Sequence, residues 1–228
     1  MTIFRFALLR SVRSVSGILL IVLLPVGVIF VPGDGWDRVP VAIRYYSVIL
    51  MFAAANLTHL LLTDRLTGMT VRIAAAPVSH LKYLAQHLLA FVLLLTVQNA
   101  IVAAAGRLLH GERMPDPVAL FPVLTVFSVT AVCFALAWNS LFRSKETSAT
   151  LLFCAILFLS MLGGLLWPIV IMPELLQKAA MFIPTYWLVA ALAAAAGDGG
   201  LRDAAVPMLM LLLFSTAFLL AGSKRRLA

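Results

Sequence analysis

The side chains best suited to chemistry in this sequence are few: nine acids, four histidines, two cysteines and a scatter of amides and hydroxyls. Their spacing fits no catalytic constellation. A zinc hydrolase would need H-E-x-x-H, two histidines one helical turn apart with a glutamate base, and none occurs. An intramembrane serine hydrolase would need a G-x-S-x nucleophile and a later histidine, but no histidine follows His110. The Gly-rich piece Gly197, Asp198, Gly199, Gly200 lacks the lysine of a phosphate-binding loop. The chain therefore has no motif with which to bind ATP itself, and the sequence argues against an enzyme. Cys133 and Cys154 lie in apolar runs, where a thiol behaves as a small hydrophobe and no disulfide framework is implied. What remains is a set of neutral polar residues inside those runs, of which Asn56, His59, Gln98, Asn99 and Ser160 are the candidates to line a path through a membrane. Polar groups at membrane depth are costly unless they face protein or water. Most serve as glue between helices. With no acid, lysine or arginine in mid-run, a proton relay or ion-coupled carrier is poorly supported, and the lining suits an amphipathic or hydrophobic cargo.

The elements that must carry these residues are apolar. Hydrophobic residues make up 63% of the chain and charged ones 11%, with a mean hydropathy of +1.08. Seven charge-free runs occupy residues 14–33, 45–63, 83–106, 117–142, 147–173, 179–197 and 204–223. Each is long enough to approach the roughly 20 residues that cross a hydrocarbon core. Seven spans would place the termini on opposite sides. Yet the start carries Arg5, Arg10 and Arg13 and the end Lys224, Arg225 and Arg226, neither with an acid, so both read as cytoplasmic. The run 179–197 is the one to demote, because it begins after Pro173, contains Pro184 near its start, and follows a run bent by Pro168. Residues 173–197 then read as an outer re-entrant or interfacial hairpin, which is tolerated where protein covers the irregular backbone. Six spans alternate, leaving eleven basic residues and two acids (Asp64 and Glu146) inside, against six and seven outside. This bias suits anionic inner-leaflet lipid, and no nucleic-acid partner is needed to explain it. A membrane head-group transferase, which would want clustered aspartates inside, is disfavoured by the same count.

Three segments depart from plain spans. Residues 1–13 interleave Phe4, Leu8 and other apolar residues with Arg5, Arg10 and Arg13, the pattern of an amphipathic helix in the inner interface. The loop 63–82 is long for an inner loop. Its middle is helix-compatible, presenting Arg65 and Arg72 away from Met69 and Ile73, with Pro77 as a stop and Ser79 as a cap for the next helix. Such a helix is a docking knob for a cytoplasmic partner. In residues 163–187, Gly163 and Gly164 permit a kink, and Pro168, Pro173 and Pro184 break the chain near belt aromatics Trp167, Tyr186 and Trp187.

These residues resemble the transmembrane subunits of ABC-2 type (type V exporter) permeases. Asp64, Gly68 and Pro77–Val78–Ser79 match the family's loop pattern after span two, though with aspartate where glutamate is usual and Met69 where threonine often stands. Gly164, Pro168, Met172–Pro173–Glu174 and Pro184–Thr185 match its hairpin pattern. The resemblance implies an all-α polytopic fold over residues 1–228, a single half-transporter domain. It would have six transmembrane helices, an N-terminal interfacial helix and an outer re-entrant hairpin between spans five and six. It further implies that Asp64, Arg65, Gly68, Arg72 and Pro77 couple the chain to a separate ABC ATPase subunit, which binds ATP and Mg while this chain binds no cofactor or metal. A second permease copy or paralogue would complete the path in a bacterial cytoplasmic membrane. The expected function is export of an amphipathic small molecule, drug or antibiotic-like compound. Export of a lipid-linked glycan, a haem-machinery permease, and a non-transporting assembly subunit stay open as alternatives.

Overall fold

The computed structural model describes residues 2–13, 15–31, 39–68 and 80–224, and among these every regular element is helical. The order is α1 (Thr2–Arg13), α2 (Val15–Ile18), a π turn (Leu19–Leu23), α3 (Leu24–Ile29), α4 (Val41–Leu66) and α5 (His80–His110). There follow α6 (Pro117–Asn139), α7 (Lys145–Leu162), α8 (Glu174–Ala180), α9 (Pro184–Ala195) and α10 (Gly200–Lys224). Helices α4, α5, α6, α7 and α10 are each long and apolar enough to cross a membrane, making the chain an all-α polytopic membrane protein. The pair α8 and α9, in the segment expected as the hairpin, is bent by 88° across residues 181–183.

Two boundaries move from the sequence expectation, each for a backbone reason. The first run, expected over 14–33, is helical over 15–29 among the described residues, about 22 Å at about 1.5 Å per residue. It ends at Ile29 because the Phe30 N–H bonds Gly27 O (3.2 Å) and the Val31 N–H bonds Val28 O (3.0 Å), tighter bonds that close the last turn. The run 147–173 ends as a helix at Leu162. There Gly164 adopts φ +88°, the Gly164 N–H bonds Met161 O (3.2 Å) and the Leu165 N–H bonds Ser160 O (2.9 Å). That pair of bonds is a Schellman stop, and hydropathy alone cannot see it because the following residues are equally apolar.

Helix α6 forms the centre, packed against α4, α5, α9 and α10. The spanning windows of α4 and α6 are 61% buried within the chain, against 22% for α7 and 17% for α10. The latter two therefore offer apolar faces (Phe153 and Phe158, Leu209 and Leu213) to lipid or to another chain. Inside, helices are joined by short polar bridges. Asn99 Nδ2 donates to Ser128 Oγ (2.9 Å) and Tyr46 OH donates to Asn99 Oδ1, tying α5, α6 and α4. Thr130 Oγ1 and Ser215 Oγ are 2.9 Å apart, tying α6 to α10.

At the other end of α6, Asn139 Nδ2 donates to Thr58 Oγ1 (3.1 Å) and its Oδ1 accepts from Ser148 Oγ (2.8 Å). This amide joins α4, α6 and α7. Asn139→Leu leaves Ser148 without that acceptor in an apolar setting, and we expect a loss of about 1 kcal/mol. A thermal melt in detergent checks this. An unchanged midpoint would mean that the bridge contributes nothing.

Candidate coupling site

An acid in the last turn of a helix faces the negative end of the helix dipole, so Asp64 at the end of α4 needs a compensating donor. It has two. Arg10 Nη1 of α1 approaches Asp64 Oδ1 at 2.6 Å, and Tyr83 OH of α5 donates to Oδ2 at 3.1 Å. The Asp64 side chain is only 6% exposed and that of Arg10 30%. Three segments distant in sequence thus meet at one carboxylate. A second layer supports it: His87 Nδ1 lies 3.0 Å from Tyr83 O, and the Tyr83 and His87 rings stand 4.3 Å apart. His87 in turn meets Phe91 edge-on, so the position of the Tyr83 hydroxyl is fixed by packing. Helix α4 ends two residues later, at Leu66. Thr67 Oγ1 folds back to Thr63 O (2.9 Å), the Gly68 N–H bonds Arg65 O (3.2 Å), and Gly68 takes φ +71°. That left-handed turn sends the chain out of the helix directly into residues 69–79.

The expected coupling residues are therefore not equivalent. Asp64 is turned inward as the hub of a knot. Arg65 is partly exposed, with no ion pair among the described residues, and Gly68 forms the exit turn. Arg72 and Pro77 lie outside the described residues. The expected interfacial arginines also separate. Arg5 and Arg13 are exposed on α1 beside exposed Phe6 and Leu9, whereas Arg10 reaches inward to Asp64. Ala7 and Ser11, one helical turn apart, form the buried stripe of α1, which packs on α5. Arg10 and Arg13 thus serve different surroundings, because the Asp64 carboxylate draws Arg10 in.

At the opposite end of the bundle the hairpin residues assemble on the stop of α7. Thr185 Oγ1 donates to Leu159 O (2.6 Å), and a Cβ on Gly163 would overlap the Thr185 side chain. Ile169 fills the space beside Gly164. Pro168 precedes a short 3-10 turn (Ile169–Ile171), Pro173 precedes α8 and Pro184 is the first residue of α9. Proline suits these positions because no helical N–H is needed there. Glu174 is exposed and pairs with Lys178 (2.7 Å), an arrangement of little energetic weight.

The pathway candidates do not converge on one cavity wall. Asn99 is committed to Tyr46 and Ser128. Gln98 is buried near the Tyr46 hydroxyl, yet neither of its amide atoms meets hydrogen-bond geometry. Ser160 is fully buried in the root of the hairpin, with its hydroxyl unpartnered. Asn56 and His59, three residues apart on α4, share a partly open face with Phe52, whose ring lies 5.1 Å from that of Phe153 on α7. Sequence reasoning passed over Tyr83 and Arg44. Tyr83 looked like the first residue of an apolar run. Arg44 looked like a topogenic loop charge, although it is 1% exposed and donates to Gly164 O. No local spacing marks either residue, since the partners lie 19 and 120 positions away.

Comparison with known proteins gives the family. The sequence profile described as "ABC-2 family transporter protein" matches residues 41–224, from the first turn of α4 to the last of α10. The chain belongs to the ABC-2 transporter family. It is also similar to the linearmycin resistance permease protein LnrN of Bacillus subtilis (strain 168), 25% identical over 158 residues. That match covers 69% of this chain and 40% of the relative, so the chain spans about two-fifths of the relative's length. As an ABC-2 protein the chain is a membrane-embedded permease component, and such components work with an ABC ATPase. The family match begins after Arg10, so the knot joins an element outside the matched region to the first helix within it.

Proposed function

We propose that this ABC-2 chain is the permease subunit of an ATP-driven exporter of an amphipathic small molecule, a drug or antibiotic-like compound. The observation that carries the reading is the Asp64 knot, placed at the C-terminal end of α4 just before residues 69–79. In this reading the loop docks on a separate ATPase subunit that binds ATP and Mg, and both termini face that subunit in the cytoplasm. A push on the loop is felt at Gly68 and Asp64, and Asp64 passes it to α1 through Arg10, to α5 through Tyr83 and along α4 itself. A second copy or a paralogue packs against the chain to enclose a path. Asn56, on the partly open face of α4 beside Phe52 and Phe153, is then the polar contact best placed to meet cargo, whereas both ring nitrogens of His59 are buried, with no hydrogen-bond partner among the described residues. The resistance permease name of the relative favours an antibiotic-like cargo.

The test is affinity purification of the tagged chain from its native membrane in mild detergent and in nanodiscs, with mass spectrometry of co-purifying proteins. The expected result is a stoichiometric P-loop ATPase, lost when residues 69–79 are replaced by a Gly-Ser linker. Repeated recovery of the intact chain with no ATPase would sink the exporter reading and favour an assembly subunit.

A further inference from the structure

Helix α4 carries a polar tie at each end. One is the Asp64 knot. The other is Arg44, whose Nη1 donates to Gly164 O at 2.7 Å and whose Nε donates to Val39 O at 3.4 Å. Gly164 is the left-handed residue of the Schellman stop, so its carbonyl marks the point where the chain leaves α7 for the hairpin. The carbonyls just before it are already engaged. Leu159 O accepts from Thr185 Oγ1 and from the Gly163 N–H, Ser160 O accepts from the Leu165 and Leu166 N–H groups, and Met161 O accepts from Gly164. Arg44 thus inserts α4 into the same cluster that holds the root of the hairpin. A cation at the end of α7 also complements its dipole.

The stretch between the two ties is unbroken. No glycine or proline interrupts Val41–Leu66, so α4 has none of the usual points at which a helix kinks. The 20 steps from Arg44 to Asp64 make a rod of about 30 Å. Displacing one end of such a rod must move the other or break its tie. Stability alone is a weak reason for a buried guanidinium, because an apolar residue of similar volume often serves as well. We propose that Arg44 is a positioning residue that transfers movement of α4, received at Asp64, to the root of the α8–α9 hairpin. The hairpin then shifts with the state of the ATPase although it lies at the far end of the chain. This inference rests on the permease reading above.

The experiment uses the full chain with its co-purified ATPase in nanodiscs. Glu174→Cys supplies an exposed reporter on the hairpin, in a background of Cys133→Ala and Cys154→Ala. The rate of labelling by a charged maleimide is measured without nucleotide and with ATP plus vanadate. With Arg44 present, the two rates should differ. In Arg44→Met, which keeps the volume and drops the donors, the ATPase should remain bound and hydrolyse ATP while the rate difference disappears. Arg44→Lys, with a cation but no fork of donors, should retain part of it. Retention of the full difference in Arg44→Met overturns the proposal and leaves the permease reading intact. If Arg44→Met does not accumulate, Arg44→Lys decides by the same criterion, a full difference again overturning it. Nucleotide-independent labelling with Arg44 present, despite a bound ATPase, also overturns it. Absence of any ATPase from the complex removes the permease reading and this inference together.

Discussion

Asp64→Ala should leave the chain folded, in the membrane and bound to its ATPase, while export per ATP hydrolysed falls by about ten- to a hundredfold. The knot explains both halves. Removing the carboxylate takes the acceptor from Arg10, whose side chain is 30% exposed, so water can re-solvate the guanidinium and the fold survives. Tyr83 loses its partner in a more buried place, but the His87 and Phe91 rings still hold its own ring. What is lost is the point where α1, α4 and α5 are bound to move together. Asp64→Asn should fall between, because it keeps an acceptor for Tyr83 without the charge for Arg10. Gly68→Pro should produce the same uncoupling by another route. Proline cannot adopt φ +71° and has no N–H for Arg65 O, so the exit turn into 69–79 must rebuild. Transport into inverted vesicles and ATP hydrolysis, measured on the same preparation, check both variants. Normal export by Asp64→Ala and Gly68→Pro would remove the coupling assignment. A double-mutant cycle with Arg10→Ala adds a sharper criterion: if the two losses simply add, the ion pair is not the working unit.

The reach of sequence reasoning here follows from the range over which each signal acts. Hydropathy is local, so the five long spans and the apolar first run were readable residue by residue. Proline and glycine are local too. The bend between α8 and α9 was legible from Pro173 and Pro184, and the end of α7 was half legible from Gly163 and Gly164. The sequence reading carried that span on to Pro173, because Leu165, Leu166 and Ile169 look no different from spanning residues. Partner choice is the part that was not local. Asp64 stood out by its motif, but nothing in the loop pattern says that its carboxylate turns inward to Arg10 and Tyr83. Among the pathway candidates, Asn99 and Ser160 share a residue class with Asn56, yet tertiary packing gives one to a bridge and the other to the hairpin root. A polar residue in a span announces that it needs company, and only the fold decides whose.

The hairpin root should fail differently from the knot, through folding rather than through coupling. A Cβ at Gly163 would overlap both Oγ1 and Cβ of Thr185 and press on Leu159 O, two groups that themselves share a hydrogen bond. Neither can retreat easily. Thr185 sits in the first turn of α9 just after Pro184, and Leu159 O belongs to the last turn of α7. Gly163→Val must therefore push α9 off α7, and the overpacking should cost about 1–3 kcal/mol. In a chain of this size that is a fall of about 2–12 °C in the melting midpoint. Gly27→Ala is the control: no atom lies within 4 Å of a Cβ there, so it should melt at or slightly above the parent. The cause can be separated from a general intolerance of change at the site. Thr185→Gly clears the space a Cβ would enter, so Gly163→Ala should cost clearly less in that background than in the parent chain. Equal costs in the two backgrounds would show that the pair does not touch.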